Sequence, residues 1–270
     1  MAVYVGVDLG ATNIRAVVAD GSATILGSAM AETPRGPTGI AVTEAILGVI
    51  REACGQAGIT PGTASACGIG SIGPLDLAAG VVENPANLPD RIDRIPLTGP
   101  ISNLLATDDV YLHNDTIAGV IGERFHAARN PDDMVYLTIS SGIGAGVCVD
   151  GTVIGGWDGN AGEVGHMTLD PQGFMTCGCG HDGHWEAYCS GNNIPRYAQR
   201  LHAEDPIDTA LPIDDPDLSA VDIFDQAGED EFADHVIDQL GHWNAMGVAN
   251  IIHAYAPLVI NVGGAVALNN

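Results

Sequence analysis

Short runs of aliphatic and β-branched residues, separated by small polar turns, set the rhythm of the chain. Residues 3–9 form one such run and residues 14–19 a second, and Gly10-Ala11-Thr12-Asn13 between them predicts strand, tight turn, strand. Residues 40–57 carry Ile40, Leu47, Ile50, Cys54 and Ala57 at roughly the spacing of one helix face. Residues 66–72 and 110–112 read as short strands. Residues 116–128 read as a helix with Ile117, Val120, Ile121 and Phe125 on one side. Strands at 135–139 and 147–149 flank a glycine-rich loop at 140–146, which repeats the opening unit, one copy in each of two lobes. Phe232, Val236, Leu240, Trp243, Val248, Ile251, Ile252 and Tyr255 give the clearest helical stripe. Residues 258–262 read as a last strand closed by Gly263-Gly264; no helix is expected after it, and the chain is read as ending early. Residues 206–217, rich in Pro and Asp, read as a surface loop.

Length and composition narrow the classes. A chain of 270 residues with 46% hydrophobic content fits two lobes with a substantial core. No apolar run approaches about 18 residues, and the start carries no signal-like segment, so no membrane span and a cytoplasmic location are expected. There are 34 acidic residues against 9 basic ones, all of them Arg, for a net charge of -25. That balance argues against nucleic-acid or anionic-membrane partners. The acidic residues are spread along the whole chain, which points to adaptation to high salt, where screening over about 3 Å tolerates a dense carboxylate surface. The six Cys do not form a disulfide pattern; two stand in a C-x-C, which favours metal binding.

Four features carry chemistry, and a fifth only matches the letters of a motif. In Asp8-Leu9-Gly10-Ala11-Thr12-Asn13, successive N–H groups of the turn can nest an anion, and Asp8 at a strand end can hold magnesium through water; an ordinary hairpin turn explains it equally. Ser140-Ser141-Gly142-Ile143-Gly144-Ala145-Gly146 allows close backbone approach to a ligand, without the Lys and helix of a Walker loop. Gly68-x-Gly70-x-x-Gly73 matches a dinucleotide fingerprint in letters only, since Pro74 follows and no helix opens. Asp115, between a strand and a helix, is placed to take a proton from a hydroxyl, or simply to cap the helix. His166, Cys177, Cys179 and His184 suit tetrahedral zinc, with His181 and Cys189 as rival ligands; Glu163 and Glu186 flank them and can accept hydrogen bonds from vicinal hydroxyls or stand solvated.

The order of these motifs resembles the ROK family of sugar kinases and repressors, from residue 3 to about residue 266. It is carried by VGVDLGATNIR, GIGSIGPLD, NPANLPDR, LHNDTIAGVIGE, LTISSGIGAGV, AGEVGHM, CGCGHDGHWEAYCSG and VINVGGAV. The resemblance implies an α/β, two-lobed actin-like ATPase (sugar kinase/ribonuclease H-like) fold, with residues 1–113 and 114–270 as lobes and ATP and sugar in the cleft between them. It implies that Gly10, Ala11, Thr12, Asn13, Arg15, Ser141, Gly142, Gly144 and Gly146 hold ATP, with Asp8 near Mg2+ and Gly263 and Gly264 against the adenosine. It implies Asp115 as catalytic base on the sugar 6-hydroxyl, with Gly73, Asn87, Asn114, Glu163, His166 and Glu186 lining the sugar pocket. A structural Zn2+ on His166, Cys177, Cys179 and His184 and a homodimer are also implied. Two departures are visible: Ala11 where a second Gly is usual, and His184 where the family has a third zinc Cys. Family chains run longer, to about 300 residues or more, and normally add a closing helix on the first lobe.

The expected activity is glucose phosphorylation by ATP. N-acetylmannosamine, N-acetylglucosamine, fructose and allose are alternative acceptors, and ADP and polyphosphate alternative donors. ROK repressors carry a helix-turn-helix before the kinase-like part, for which a first strand at residue 3 leaves no room. A non-catalytic sugar-sensing or zinc scaffold protein would need degraded loops.

Overall fold

The computed structural model describes residues 2–85, 88, 89, 91–128 and 130–269. The chain divides into two units, one of residues 1–119 and 155–161, the other of residues 120–154 and 162–270. The expectation of a single cut between residues 113 and 114 did not include the return of 155–161 to the first unit.

The first unit is built on a five-stranded sheet. Strands β1 (Val3–Leu9), β2 (Asn13–Asp20) and β3 (Ile25–Glu32) form an antiparallel meander. Alternation along β1 sends Val3, Val5, Val7 and Leu9 inward and leaves Tyr4 and Asp8 exposed. Helix α1 (Gly39–Gln56) crosses to β4 (Ala66–Ser71), which lies parallel to β1. The buried stripe of α1 is Val42, Ile46, Val49, Ile50 and Ala53; Ile40 is exposed instead, because it stands about 200° round the helix from Val42. Strands β5 (Leu75–Asp76), β6 (Val81–Glu83) and β7 (Arg94–Pro96) make a small antiparallel sheet. Helix α2 (Thr98–Leu105) then leads to β8 (Val110–Asn114), parallel to β4. Helix α3 (Asp115–His126) follows directly. It buries Ile117 and Val120, whereas Ile121 and Phe125, also expected on that stripe, turn outward as the position drifts round successive turns.

The second unit repeats the plan. Strands β9 (Met134–Ile139) and β10 (Ile143–Val149) form a hairpin, β11 (Thr152–Val153) extends it, and β12 (Val259–Gly263) pairs parallel to β9 on the other side. The sheet order β11-β10-β9-β12 therefore matches β3-β2-β1-β4, as the duplicated strand–loop–strand pattern led one to expect. Between β11 and β12 come the helices α4 (Glu186–Cys189), α5 (Ile194–Glu204), α6 (Ala220–Phe224) and α7 (Glu231–Tyr255). Asp230 caps α7, accepting the N–H of Ala233 at 2.9 Å. Strand β12 spans Val259–Gly263 and is followed by a five-residue helix α8 (Ala265–Asn269), so the expectation of no helix after the last strand is corrected. Its five residues are too short for a periodic apolar pattern to announce it.

Each unit has its own core, Leu9, Ile14, Ile46 and Ile69 being central to the first and Val135, Trp185, Tyr188 and Phe232 to the second. No described helix is long and apolar enough to cross a membrane.

Candidate active site

In the first unit, the β1–β2 turn is closed by the Gly10 N–H donating to the Asn13 carbonyl at 2.9 Å. Thr33, just past β3, fixes it from below: its hydroxyl donates to the Gly10 carbonyl at 2.8 Å and its N–H to the Thr12 carbonyl at 2.8 Å. Ala11 is not among the described residues with positive φ, so a methyl group there carries no backbone strain. Arg15 and Asp8 are cross-strand neighbours, and the guanidinium donates to the Asp8 carboxylate at 2.9 Å. Both side chains are more than half exposed, so the pair is weak and free to exchange partners.

At the β8–α3 junction two residues share the capping of the helix. Capping falls mainly to Asn114, a buried residue whose side-chain carbonyl accepts both the N–H and the hydroxyl of Thr116, at 2.9 and 2.8 Å. Asp115 shares only the Thr116 N–H, at 2.8 Å, and keeps an exposed face. Surrounding atoms still strip enough water from it to push its carboxyl above the usual carboxylate range. The Thr116 N–H opposes this rise, and the charge of Asp8 adds to it. The Gly73 turn faces the same junction: a Cβ built on Gly73 would lie 3.8 Å from Asn114 Nδ2 and 4.0 Å from Asn160 Oδ1. Asn87 lies outside the described residues.

In the second unit, the glycine-rich segment is mostly strand. Gly144 and Gly146 were expected in the loop, but both are buried within β10, opposite Thr138 and Tyr136 of β9. Pairing with β9 on one edge, and the Ala145 N–H donating to the Gly162 carbonyl at 2.8 Å, outweigh the low strand propensity of glycine. The turn is confined to residues 140–142, with Ser141 exposed, and is closed by the Ser140 N–H donating to the Gly142 carbonyl at 2.9 Å. Gly162 has φ of +92°, and a Cβ there would fall 1.9 Å from the Ala145 carbonyl oxygen, so this close approach of the following segment to β10 needs glycine.

That approach positions Glu163 and His166. The His166 ring turns Nε2 toward the Glu163 carboxylate, 3.9 Å away, and Nδ1 toward Cys177 Sγ, 3.7 Å away. Glu186, the first residue of α4, accepts the Ile143 N–H at 2.9 Å. Gly263 ends β12, and Gly264, with φ of +95°, turns the chain into α8.

His166, Cys177, Cys179 and His184 bring one ligand atom each within 4.8 Å of all the others. A tetrahedral ion with bonds of about 2.0 Å to nitrogen and 2.3 Å to sulfur sets its ligands about 3.3–3.8 Å apart. Cys179 Sγ to His184 Nδ1 is 3.3 Å and Cys177 Sγ to His166 Nδ1 is 3.7 Å, so the donor set fits. Of the rival ligands, His181 lies outside this group, stacked on His184 with its Nδ1 3.8 Å from Cys179 Sγ. Cys189 points into the core toward the Leu240 carbonyl. The loop bearing the cluster is pinned by Asp170, which accepts the Phe174 N–H at 2.7 Å and the Tyr188 hydroxyl at 2.6 Å. Thr33 and Asn160 stand out only in three dimensions, since neither belongs to a motif.

Residues 4–270 match the family model described as ROK family. A glucokinase from Pyrobaculum calidifontis is 38% identical over 278 aligned residues, covering 100% of this chain and 81% of the relative. Among solved structures, a ROK hexokinase from Thermus thermophilus is 34% identical with a TM-score of 0.80, covering 99% of this chain and 83% of that one. A ROK family glucokinase from Streptomyces griseus, in complex with glucose and AMPPNP, is 30% identical with a TM-score of 0.74, covering 97% and 83%.

Proposed function

The chain belongs to the ROK family, and from that premise we propose that it transfers the γ-phosphoryl group of ATP to the 6-hydroxyl of glucose. It is an ATP-dependent sugar kinase of the two-lobed actin-like fold. The observation that carries the glucose assignment is similarity to glucokinases along the whole chain, joined to an Asp115 that shares capping with Asn114 and keeps an exposed face.

Phosphoryl transfer asks mostly for positioning and charge stabilisation. Asp115 would accept the proton of the attacking hydroxyl; the rise of its pKa above the usual carboxylate range, caused mainly by desolvation, makes it a better base than an ordinary exposed carboxylate. Asn114, Asn160 and the Gly73 turn in the first unit, and Glu163, His166 and Glu186 in the second, would orient the sugar hydroxyls. The N–H groups of the turns at 10–13 and 140–142 would hold the phosphates, and the turn at Gly263 and Gly264 the adenosine. Asp8 would hold the magnesium that accompanies ATP, and that ion would supply charge neutralisation at the transferring group.

Zinc on His166, Cys177, Cys179 and His184 would tie the loop of residues 166–184 to the core and fix the His166 ring facing Glu163. Metal analysis of the purified protein tests this: one equivalent of zinc is expected, and none in a Cys177→Ser, Cys179→Ser variant. A homodimer belongs to the same reading and would be seen by light scattering.

The test of the function is ATP turnover at high salt against a panel of hexoses. Glucose 6-phosphate as the principal product is expected; a strong preference for N-acetylmannosamine, N-acetylglucosamine or fructose would move the assignment to that sugar.

A further inference from the structure

Glu186 makes a contact that sugar binding does not require. Its Oε2 accepts the N–H of Ile143, at the exit of the turn of residues 140–142, at 2.9 Å. A Cβ on Gly142 would lie 2.8 Å from the same oxygen, so the carboxylate reaches the turn only because residue 142 has no side chain. The chain after α4 returns to the entry of that turn, where the Gly191 N–H donates to the Ser140 carbonyl at 2.7 Å. Residues 186–191 thus form a strap that grips the turn at both ends. The strap itself is braced from behind. The Asn193 side-chain amide donates to the Glu186 carbonyl at 3.1 Å and to the Ser190 hydroxyl at 2.8 Å, and Ser190 and Asn193 are both buried. Arg196 donates to the Asn193 side-chain carbonyl at 3.0 Å.

We propose that Glu186 is a positioning residue that couples the acceptor sugar to the donor nucleotide, one carboxylate oxygen held by the Ile143 N–H and the other offered to a sugar hydroxyl. This rests on the proposed function, in which the 140–142 turn holds donor phosphates and Glu186 faces the sugar. A hydroxyl bound to the free oxygen fixes the carboxylate rotamer that the Ile143 N–H also needs. Sugar binding then pre-orders the turn before the phosphates arrive. Reciprocity follows: bound nucleotide raises the affinity for sugar by the same factor.

The experiment is calorimetric titration of magnesium AMPPNP into the full chain, with and without saturating glucose. The wild-type protein should bind the nucleotide at least about 5-fold tighter with glucose present, the low end of ordinary coupling. In Glu186→Ala the factor should fall to about 1, and sugar-free nucleotide affinity should also drop, because the turn loses one anchor. Glu186→Gln keeps an acceptor for Ile143 and an amide for the sugar, so it should restore part of the coupling. Glu163→Gln should weaken glucose binding and leave the coupling factor unchanged, which separates coupling from mere sugar contact. Wild-type coupling retained in Glu186→Ala, or absent from the wild-type protein, overturns the proposal. If the wild-type protein fails to bind glucose, the glucose assignment falls instead. Sugar-free nucleotide affinity still decides the role of Glu186: a value unchanged in Glu186→Ala overturns it.

Discussion

Asp115 and Asn114 are adjacent, yet the fold gives them different work. Asn114, buried, satisfies the first turn of α3 through its carbonyl, and Asp115 shares only the Thr116 N–H and keeps an exposed face. Asp115→Asn should therefore leave glucose and nucleotide affinities within a few-fold of wild type. Turnover should drop by about 10²–10⁴, the usual worth of a positioned base. Near-normal turnover would remove Asp115 from the role. The pH dependence has a definite sign. Desolvation and the neighbouring Asp8 raise the carboxyl above 3.8, so the acid limb of kcat/KM should lie above the ordinary aspartate range. In stability terms, the folded state takes up this proton before the unfolded chain does. The group therefore disfavours folding while ionised, and that penalty is relieved as pH falls through the raised pKa. Removing the Asp8 charge should lower the Asp115 titration midpoint, measurable by carboxyl NMR of the ligand-free Asp8→Asn protein. An unmoved midpoint would mean that burial alone sets the shift. The candidate residues of this site were legible in the sequence because Asn114-Asp115, AGEVGHM and C-x-C are local strings. Thr33 and Asn160 were not, because each reaches its partners through the topology of a unit, over separations of 23 residues in the bond from Thr33 to Gly10.

At the scale of elements, legibility followed burial. The inward runs of β1, β4 and β9 and the stripe of α7 announced themselves, since a strand or helix packed on a core repeats its apolar positions. Strand β3 did not: it is a sheet edge whose Ile25, Leu26 and Met30 are exposed. The two- and three-residue strands β5, β6 and β7 exist only through their pairing with one another. Gly144 and Gly146 looked like loop because propensity is weaker than the hydrogen bonds that β9 offers. The long helix α7 permits a paired test of packing against propensity. Gly241 is exposed, and a Cβ there meets nothing within 4 Å, so Gly241→Ala should stabilise by about 0.5–1 kcal/mol. Gly247 faces the fully buried Trp185, and a Cβ would come within 2.5 Å of its indole. Overpacking of about 1–3 kcal/mol should there exceed the helix gain and make Gly247→Ala destabilising. Denaturant titration of both variants reads the two signs. Trp185 stands between His184 and Glu186, so the second substitution should also loosen the strap and the metal loop. Equal gains from both would mean that α7 shifts away from Trp185 at little cost.

Across the whole molecule the dominant quantity is charge. With 34 acidic residues and nine Arg, one-to-one pairing serves at most nine carboxylates, and the pairs seen, such as Arg15 with Asp8 and Arg200 with Glu204, lie at the surface. Exposed pairs of this kind contribute about 0–1 kcal/mol each, too little to offset a net charge of -25. Folding gathers these charges and raises their mutual repulsion, while the unfolded chain spreads them. The repulsion is long-ranged in dilute buffer, with a screening length of about 10 Å at 0.1 M salt, and nearly local at about 3 Å in 1 M salt. The thermal midpoint should therefore rise between dilute buffer and about 2 M KCl, with most of the gain below about 1 M, where the screening length changes fastest. An unchanged midpoint over that range would show that the carboxylates are accommodated without salt and would end the halophilic reading. A gain that continues undiminished beyond 1 M would point instead to apolar burial strengthened by salt, because charge screening is by then nearly complete. The active site sharpens the same argument. The chain has no Lys, and the proposed phosphate contacts are backbone N–H groups of two short turns, Arg15 and the accompanying cation. Nucleotide affinity should then fall less steeply with added KCl than stability rises, because backbone N–H dipoles are screened far less than exposed charges.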